Sequence, residues 1–202
     1  MKKILTICFF LSLMSCSSDI EQQASFNTKA KLEIKSSLST NTLAKISKEF
    51  NSMNINSRSN SDTEFACKKI LQPLITDGKT IQNQIILQLD HDISSSNEDK
   101  EFIKNLNEEE LASLSFLLYH IDILDKNDST QPSTISTQSV DTKRLRNCLG
   151  FAIGVSQIKE LSVNGILTAT TLRKAIIAIG KRYLGYIGVV LMVADFYDCF
   201  YG

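Results

Sequence analysis

The chain of 202 residues contains few of the residues that mark particular protein classes. It has no Trp, two Pro, two His and eight Gly, and its 22 Lys and Arg residues balance its 22 Asp and Glu residues. So few Pro and Gly exclude a collagen-like or Pro-rich architecture. The lack of an overall basic excess argues against nucleic-acid binding. A hydrophobic content of 43% excludes wholesale disorder and predicts one modest core or two small ones.

The motifs of familiar enzyme classes are also missing from the sequence. There is no GxSxG elbow, P-loop, GxGxxG turn, HExxH helix or paired CxxC motif. His91 lies between two Asp residues, but adjacent side chains diverge and no second group at ligand spacing accompanies it. His120 lies beside the apolar face of a predicted helix, where a half-buried ring is the usual outcome. We therefore assign no catalytic, cofactor-binding or metal-binding residue and predict that the protein is not an enzyme.

The first sixteen residues, MKKILTICFFLSLMSC, show the order of features of a secretory signal. Two lysines precede the apolar run 4–14, which is too short for a spanning helix of about 20 residues. The motif LMSC at positions 13–16 resembles the lipobox of bacterial lipoproteins. That resemblance, which covers only these residues, implies that 1–15 is a signal peptide removed from the chain and that Cys16 carries acyl chains.

The lipobox resemblance also implies a location. Two or three acyl chains on Cys16 would attach the protein stably to a bilayer. The residue after Cys16 is Ser17, whereas lipoproteins with Asp at this position tend to stay at the inner membrane. We expect a lipid-anchored protein of the bacterial cell envelope, at the outer membrane of a double-membraned cell. The alternative is an ordinary cleavable signal that leaves Cys16 as an unmodified thiol.

Composition divides the rest of the chain into four parts. Residues 16–61 are rich in Ser, Asn, Thr, Lys and Gln and predict a polar tether, disordered or partly helical. The composition of residues 62–125 predicts an acidic helical domain, and that of 126–141 predicts a Ser/Thr-rich linker. Residues 16–141 hold twelve basic and nineteen acidic residues, a net charge of −7, whereas 142–202 hold eight and three, a net charge of +5. The last part is therefore predicted as a basic, apolar C-terminal helical module.

Apolar spacing predicts an all-α fold built from small helical bundles. Residues three or four apart form stripes within the tether and the acidic domain, such as Leu43, Ile46, Phe50 and Met53. Asn107 and Glu110 stand at the positions of a capping box and predict a helix start. Asp77-Gly78 predicts a break between two helices, and Pro73 a kink or a shortened helix just before it.

The C-terminal module holds seven of the eight glycines and predicts three helices. The first ends near Asn164-Gly165, and the second carries the stripe Ala169, Leu172, Ile176, Ile179 and Tyr183. Leu184–Ala194 is an uncharged run of eleven residues, too short to span a bilayer, and predicts a third helix buried among its neighbours. A membrane-seeking surface is the alternative interpretation of this run.

Three cysteines remain once Cys8 leaves with the signal and Cys16 is acylated. In an oxidising compartment we predict a disulfide between Cys148 and Cys199, which lie at opposite ends of the C-terminal module. Pairings that involve Cys67 compete with this prediction. Otherwise Cys67 is a small hydrophobic residue buried in its helix.

Three classes of function remain open at this level. The leading hypothesis is a lipid-anchored envelope protein with a non-catalytic interaction or structural role and an unidentified envelope protein as partner. The second is a membrane-active or bacteriocin-like factor, in which the acidic portion restrains the C-terminal module. The third, an envelope hydrolase, lacks every familiar motif.

Overall fold

The structure, a computed structural model, describes residues 32, 34–53, 60–91, 95–128, 141–153 and 167–202. These residues form an all-α fold, as predicted, with seven helices and no strand in the described ranges. The helices are α1 (Thr40–Asn51), α2 (Asn60–His91), α3 (Asn97–Lys104), α4 (Glu108–Asp128), α5 (Thr142–Ile153), α6 (Ala169–Arg182) and α7 (Gly185–Tyr201).

Helix α2 is the longest element and continues through both predicted breakers. It has 32 residues and passes Pro73 and Gly78 without ending, so the predicted break at Asp77-Gly78 is wrong. An internal Pro costs about 3 kcal/mol in a helix and a Gly about 1 kcal/mol. Burial of Leu71 and Leu74 before the predicted break, and of Ile81 and Ile85 after it, outweighs this cost, because each such side chain contributes about 1.5–3 kcal/mol.

One hydrophobic core joins helices from both sides of the predicted linker. Helix α2 packs most extensively against α4, and α7 packs against α1, α2 and α5. Residues 62–125 and 142–202, which were predicted as two modules, therefore share one core. The reason is that α7 has apolar residues around most of its surface, and α5 and α6 alone do not cover them. Its buried set is Val189, Val190, Met192, Val193, Ala194 and Phe196.

Part of the predicted tether belongs to the folded body. Helix α1 buries Leu43, Ile46 and Phe50, three of the four residues predicted for one helical face. The fourth, Met53, lies beyond the end of the helix at Asn51 and is partly buried. Before it, Leu32 is buried and its amide donates to the carbonyl of Leu167 at 2.9 Å. The helical part of the predicted tether therefore packs on the body, because the apolar face of α1 requires a cover that a solvated tether would not have.

The carboxylate of Asp77 holds the segment before α1 onto the body. Asp77, buried on α2, accepts the Ser36 hydroxyl at 2.9 Å and the Ser37 amide at 2.8 Å. It also accepts the hydroxyls of Ser37 at 2.5 Å and of Ser115, on α4, at 2.8 Å. A buried carboxylate needs such donors to replace its lost hydration. Asp77 therefore connects the 34–39 segment, α2 and α4.

The capping box predicted at the start of α4 is confirmed. The Asn107 side chain accepts from the Glu110 amide at 2.9 Å, and the Glu110 carboxylate accepts from the Asn107 amide at the same distance. At its other end α4 continues to Asp128, three residues into the predicted linker 126–141, whose residues 129–140 lie outside the described ranges.

Helices α6 and α7 meet at a sharp corner. The predicted apolar stripe of α6 is buried at Ala169, Leu172, Ile176 and Ile179. The two helix axes are bent by 103° across Tyr183 and Leu184, and Gly185 has φ of +68°, a conformation that residues with a Cβ rarely adopt. Gly188 lies against the backbone of Tyr183. Helix α5 ends at Ile153 in the described part, and the predicted end at Asn164-Gly165 lies outside it.

Candidate functional site

The cysteines that the sequence singled out have different outcomes. Cys16, the predicted lipid-attachment residue, lies outside the described residues. Cys148 and Cys199 form a disulfide with their Cα atoms 5.7 Å apart, which is the predicted pairing. Cys67 is a buried thiol in α2, as its alternative interpretation had it. The disulfide joins α5 to the last turn of α7, where the Arg144 guanidinium also donates to the Cys199 carbonyl at 2.9 and 3.1 Å.

The two histidines differ in environment. His91 is exposed at the end of α2, whereas His120 is 1% exposed and packs against the rings of Phe116 and Phe196. The His120 Nδ1 lies 2.7 Å from the Phe116 carbonyl, so it carries the proton and donates it. Its Nε2 atom is buried without a hydrogen-bond partner. Burial among aromatic rings lowers the pKa of His120 to about 3, and its role is that of a neutral core residue.

Acidification is expected to destabilise the protein through His120. In the unfolded chain this ring binds a proton near pH 6.5, whereas the folded chain resists protonation down to about pH 3. Stability from the neutral ring is therefore fully present above the unfolded pKa and is lost as pH falls below it. The free energy of unfolding should decrease by about 1.4 kcal/mol per pH unit between about pH 6 and about pH 4. Urea denaturation at a series of pH values measures this slope.

The two histidines supply a matched control for that measurement. His120→Leu should flatten the pH dependence, because the variant has no ring to protonate in the unfolded chain. His91→Gln, at an exposed position, should retain the parent slope. An equal slope in His120→Leu and the parent would contradict the assignment.

A polar groove lies beside Asp77, between the 34–39 segment, α1 and α2. Its volume is about 410 Å³, and its polar lining consists of Ser37, Thr42, Gln72, Thr76, Asp77 and Thr80. Both oxygens of the Asp77 carboxylate are engaged by the four hydrogen bonds described above. Within the described ranges no three His, Cys, Asp or Glu side chains are grouped to hold a metal ion.

The candidate site is an exposed apolar surface around the α6–α7 corner. Leu184, the N-cap residue of α7, is 76% exposed, and Leu191, seven positions further along, is 39% exposed. Ile187, between them along the chain, is partly buried and packs against the core. Phe151, at the end of α5, is 58% exposed. It is linked to the corner by Arg182, whose guanidinium lies 5.3 Å from its ring centroid and donates to its carbonyl at 2.5 Å. We call Phe151, Leu184, Ile187 and Leu191 the apolar corner.

The uncharged run Leu184–Ala194 predicted that this part of α7 is buried, which is only half correct. One face of the helix packs in the core, but Leu191 is 39% exposed and Leu184 is the most exposed large hydrophobic residue in the described part of the chain. The spacing of Leu184, Ile187 and Leu191, which begins two residues after Arg182, was the signal available in the sequence. This spacing is hard to recognise within an uncharged run, because the residues of the buried face and of the exposed face are both apolar.

Basic side chains border the apolar corner on the α6 side. Lys181 and Arg182 are exposed at the end of α6, where cations are also favoured by the helix dipole. The Arg182 guanidinium lies over the rings of Phe151 and Tyr183, at 5.3 and 5.5 Å from their centroids. Further along the outer face of α7 the surface becomes acidic at Asp195 and Asp198. Burial and the neighbouring Asp198 raise the pKa of Asp195.

Glu64 on α2 caps the start of α7. Helix α7 has no side-chain cap from its own N-cap residue, Leu184. Instead the Glu64 carboxylate, on α2, accepts from the Tyr186 amide at 3.0 Å. A carboxylate at a helix N-terminus satisfies an unpaired amide and complements the dipole. The corner is thus held in place by α2, and its shape does not depend on α6 and α7 alone.

None of the helices in the described ranges is, by itself, long and apolar enough to cross a membrane. Helices α6 and α7 together have the length and apolar composition of a membrane span, but their axes are bent by 103° relative to each other.

No protein-family model matches this chain, and neither the curated proteins nor the solved structures contain a significant match.

Proposed function

We propose that the protein is a lipid-anchored component of the bacterial cell envelope with a non-catalytic interaction role. The observation that carries the proposal is the N-terminal sequence: two lysines, an apolar run and the LMSC motif ending at Cys16. The acyl chains at this position would hold the chain at a bilayer, at the outer membrane in a double-membraned cell, and the body that follows would meet an envelope protein partner.

The short distance along the chain between anchor and body supports this role. Leu32 is already packed on the body, so sixteen residues, 16–31, separate it from the acylated end. Sixteen residues span at most about 55 Å when fully extended. The body would therefore work near the membrane, much closer than the 46 residues of the predicted tether 16–61 would allow.

Acylation at Cys16 is the first expected result. A radioactive fatty acid fed to cells that express the full chain should label the protein, and mass spectrometry should place the acyl groups on an N-terminal Cys16 with residues 1–15 removed. The detergent phase should contain the protein after phase separation. These results follow because two or three acyl chains bind a bilayer far more strongly than one does.

The matched control uses the second cysteine of the same segment. Cys8→Ser should leave labelling unchanged, whereas Cys16→Ser should abolish it. A mature chain that begins at Cys16 with an unmodified thiol and stays in the aqueous phase would disprove the proposal.

A second candidate, the membrane-active factor restrained by its acidic portion, is favoured by contacts between the two portions. Arg173 on α6 pairs with Glu98 at 2.5 Å and with Asp99 at 3.2 Å, both on α3. These contacts lower the pKa of Glu98 and raise that of Arg173. On this hypothesis, cleavage of the full chain within 126–141 would cause dye leakage from anionic vesicles, and the uncleaved chain would not.

A further inference from the structure

We propose that the apolar corner is a second membrane contact, which lies on the same anionic lipid surface that holds the acyl chains of Cys16. The inference rests on the proposed function, because it takes the anchor to bring the body to the bilayer. It goes further by naming the face of the body that contacts lipid and the lipid chemistry that this face fits.

The shape and chemistry of the corner suit the interface between headgroups and acyl chains. Leu184 lies at the bend between α6 and α7, and Leu191 on α7 and Phe151 on α5 are also exposed. The opposite face of α7 is occupied by the protein core, so only the outer stripe is available to lipid. An outward-facing apolar stripe bordered by basic residues suits the plane of the interface.

Charge selects anionic lipid over other occupants. Lys181 and Arg182 lie three and two positions before Leu184, and both are exposed. The Arg182 guanidinium is held by the Phe151 carbonyl, whereas the long side chain of Lys181 can extend its charged end toward headgroup phosphates. At the scale of the chain, 142–202 carry a net charge of +5 and 16–141 a net charge of −7. An anionic surface therefore attracts the part that bears Lys181 and repels the acidic part. It also repels Asp195 and Asp198 on the outer face of α7, so the contact is confined to the end of α7 nearest Leu184.

The anchor and the corner can reach one bilayer together. The described residue nearest the anchor along the chain is Leu32, bonded to Leu167 just before α6, and the corner lies at the other end of that helix. Fourteen helical residues span about 21 Å. The sixteen residues 16–31 span at most about 55 Å, which exceeds this distance. The acyl chains raise the local lipid concentration at the corner, so even a weak contact would be occupied.

The absence of Trp from the chain allows a single-site test. Leu184→Trp places the only indole at the corner, and Leu87→Trp places it on α2 at a comparably exposed position. Leu87 is 23 residues beyond Glu64, the α2 residue that contacts the corner, which is about 35 Å along a helix. Both full-length variants are produced with the native signal, purified in detergent and reconstituted by their anchors into vesicles with or without phosphatidylglycerol and brominated lipid.

In anionic vesicles the indole of Leu184→Trp should emit at a shorter wavelength, and brominated lipid should quench most of its fluorescence. The indole of Leu87→Trp should show neither effect. Quenching of the Leu184→Trp fluorescence should weaken in zwitterionic vesicles. It should also weaken in the double variant that combines Leu184→Trp with Lys181→Gln. Equal emission from the two Trp variants would overturn the inference. Equal quenching in both lipids would overturn the choice of anionic lipid. A blue shift that depends on protein concentration, without lipid quenching, would assign the corner to a second copy of the chain.

The same samples separate the two proposals. Mass spectrometry of each preparation shows whether Cys16 is acylated, and flotation shows whether the protein is bound to the vesicles. An acylated, vesicle-bound protein with an unquenched indole at position 184 would refute the membrane contact alone. A protein without acyl groups would refute the proposed anchor.

Discussion

Replacing Gly78 by Ala is expected to lower the free energy of unfolding by about 3 kcal/mol or more. A Cβ atom at position 78 would lie 2.0 Å from the carbonyl oxygen of Leu111 and 2.6 Å from its carbonyl carbon. These are backbone atoms of α4, so no side-chain rotation removes the overlap. The two helices that pack most extensively against each other would have to separate. Chemical denaturation measured by circular dichroism reports the loss.

Gly180 is the matched control for this substitution. It lies in the interior of α6, and a Cβ atom there would have no neighbour within 4 Å. Gly180→Ala should raise the free energy of unfolding by about 0.5–1 kcal/mol, because Ala has the higher helix propensity. Opposite signs at 78 and 180 are the expected outcome. A Gly78→Ala variant as stable as the parent would show that α2 and α4 do not cross at Leu111.

Loss of the Cys148–Cys199 disulfide is expected to lower the free energy of unfolding by about 4 kcal/mol. The two residues are separated by 51 positions, and the bond restricts the unfolded chain over that whole loop. In the folded state it ties α5 to the end of α7, beside the Arg144 contact with the Cys199 carbonyl. Thermal or urea unfolding with and without reductant measures the contribution.

Two variants distinguish this bond from other effects of reductant. Parent protein and Cys67→Ala should both lose stability when reduced, since Cys67 is not in the disulfide. The double variant Cys148→Ala, Cys199→Ala should be destabilised from the outset and insensitive to reductant. Parent protein that unfolds identically with and without reductant would contradict the assigned bond.

Features determined by neighbouring residues were predictable from the sequence. The Asn107 and Glu110 capping box needs only two residues three positions apart, and the structure has both of its hydrogen bonds. The stripe of Leu43, Ile46 and Phe50 predicted the buried face of α1. The cysteine pairing was predictable because only three cysteines remained and two of them stood at opposite ends of one helical segment.

Features determined by distant residues were not predictable in this way. Asp77-Gly78 is a turn signal in isolation, but in the structure the carboxylate collects donors from the 34–39 segment and from α4, while the missing side chain of Gly78 admits the α4 backbone. Both residues are explained by partners more than 30 positions away. No local pattern contains that information, because tertiary contacts override local propensity.

The sequence by itself determined the helical class, the capping box and the pairing of Cys148 with Cys199, and it is also the source of the predicted acylation of Cys16. Only the tertiary structure decided that α1 and α7 share a core with α2 and α4, and that Leu184 and Leu191 face outward. The physical reason is that spacing along a helix defines its faces, whereas the choice of face that is buried depends on the other helices available to cover it.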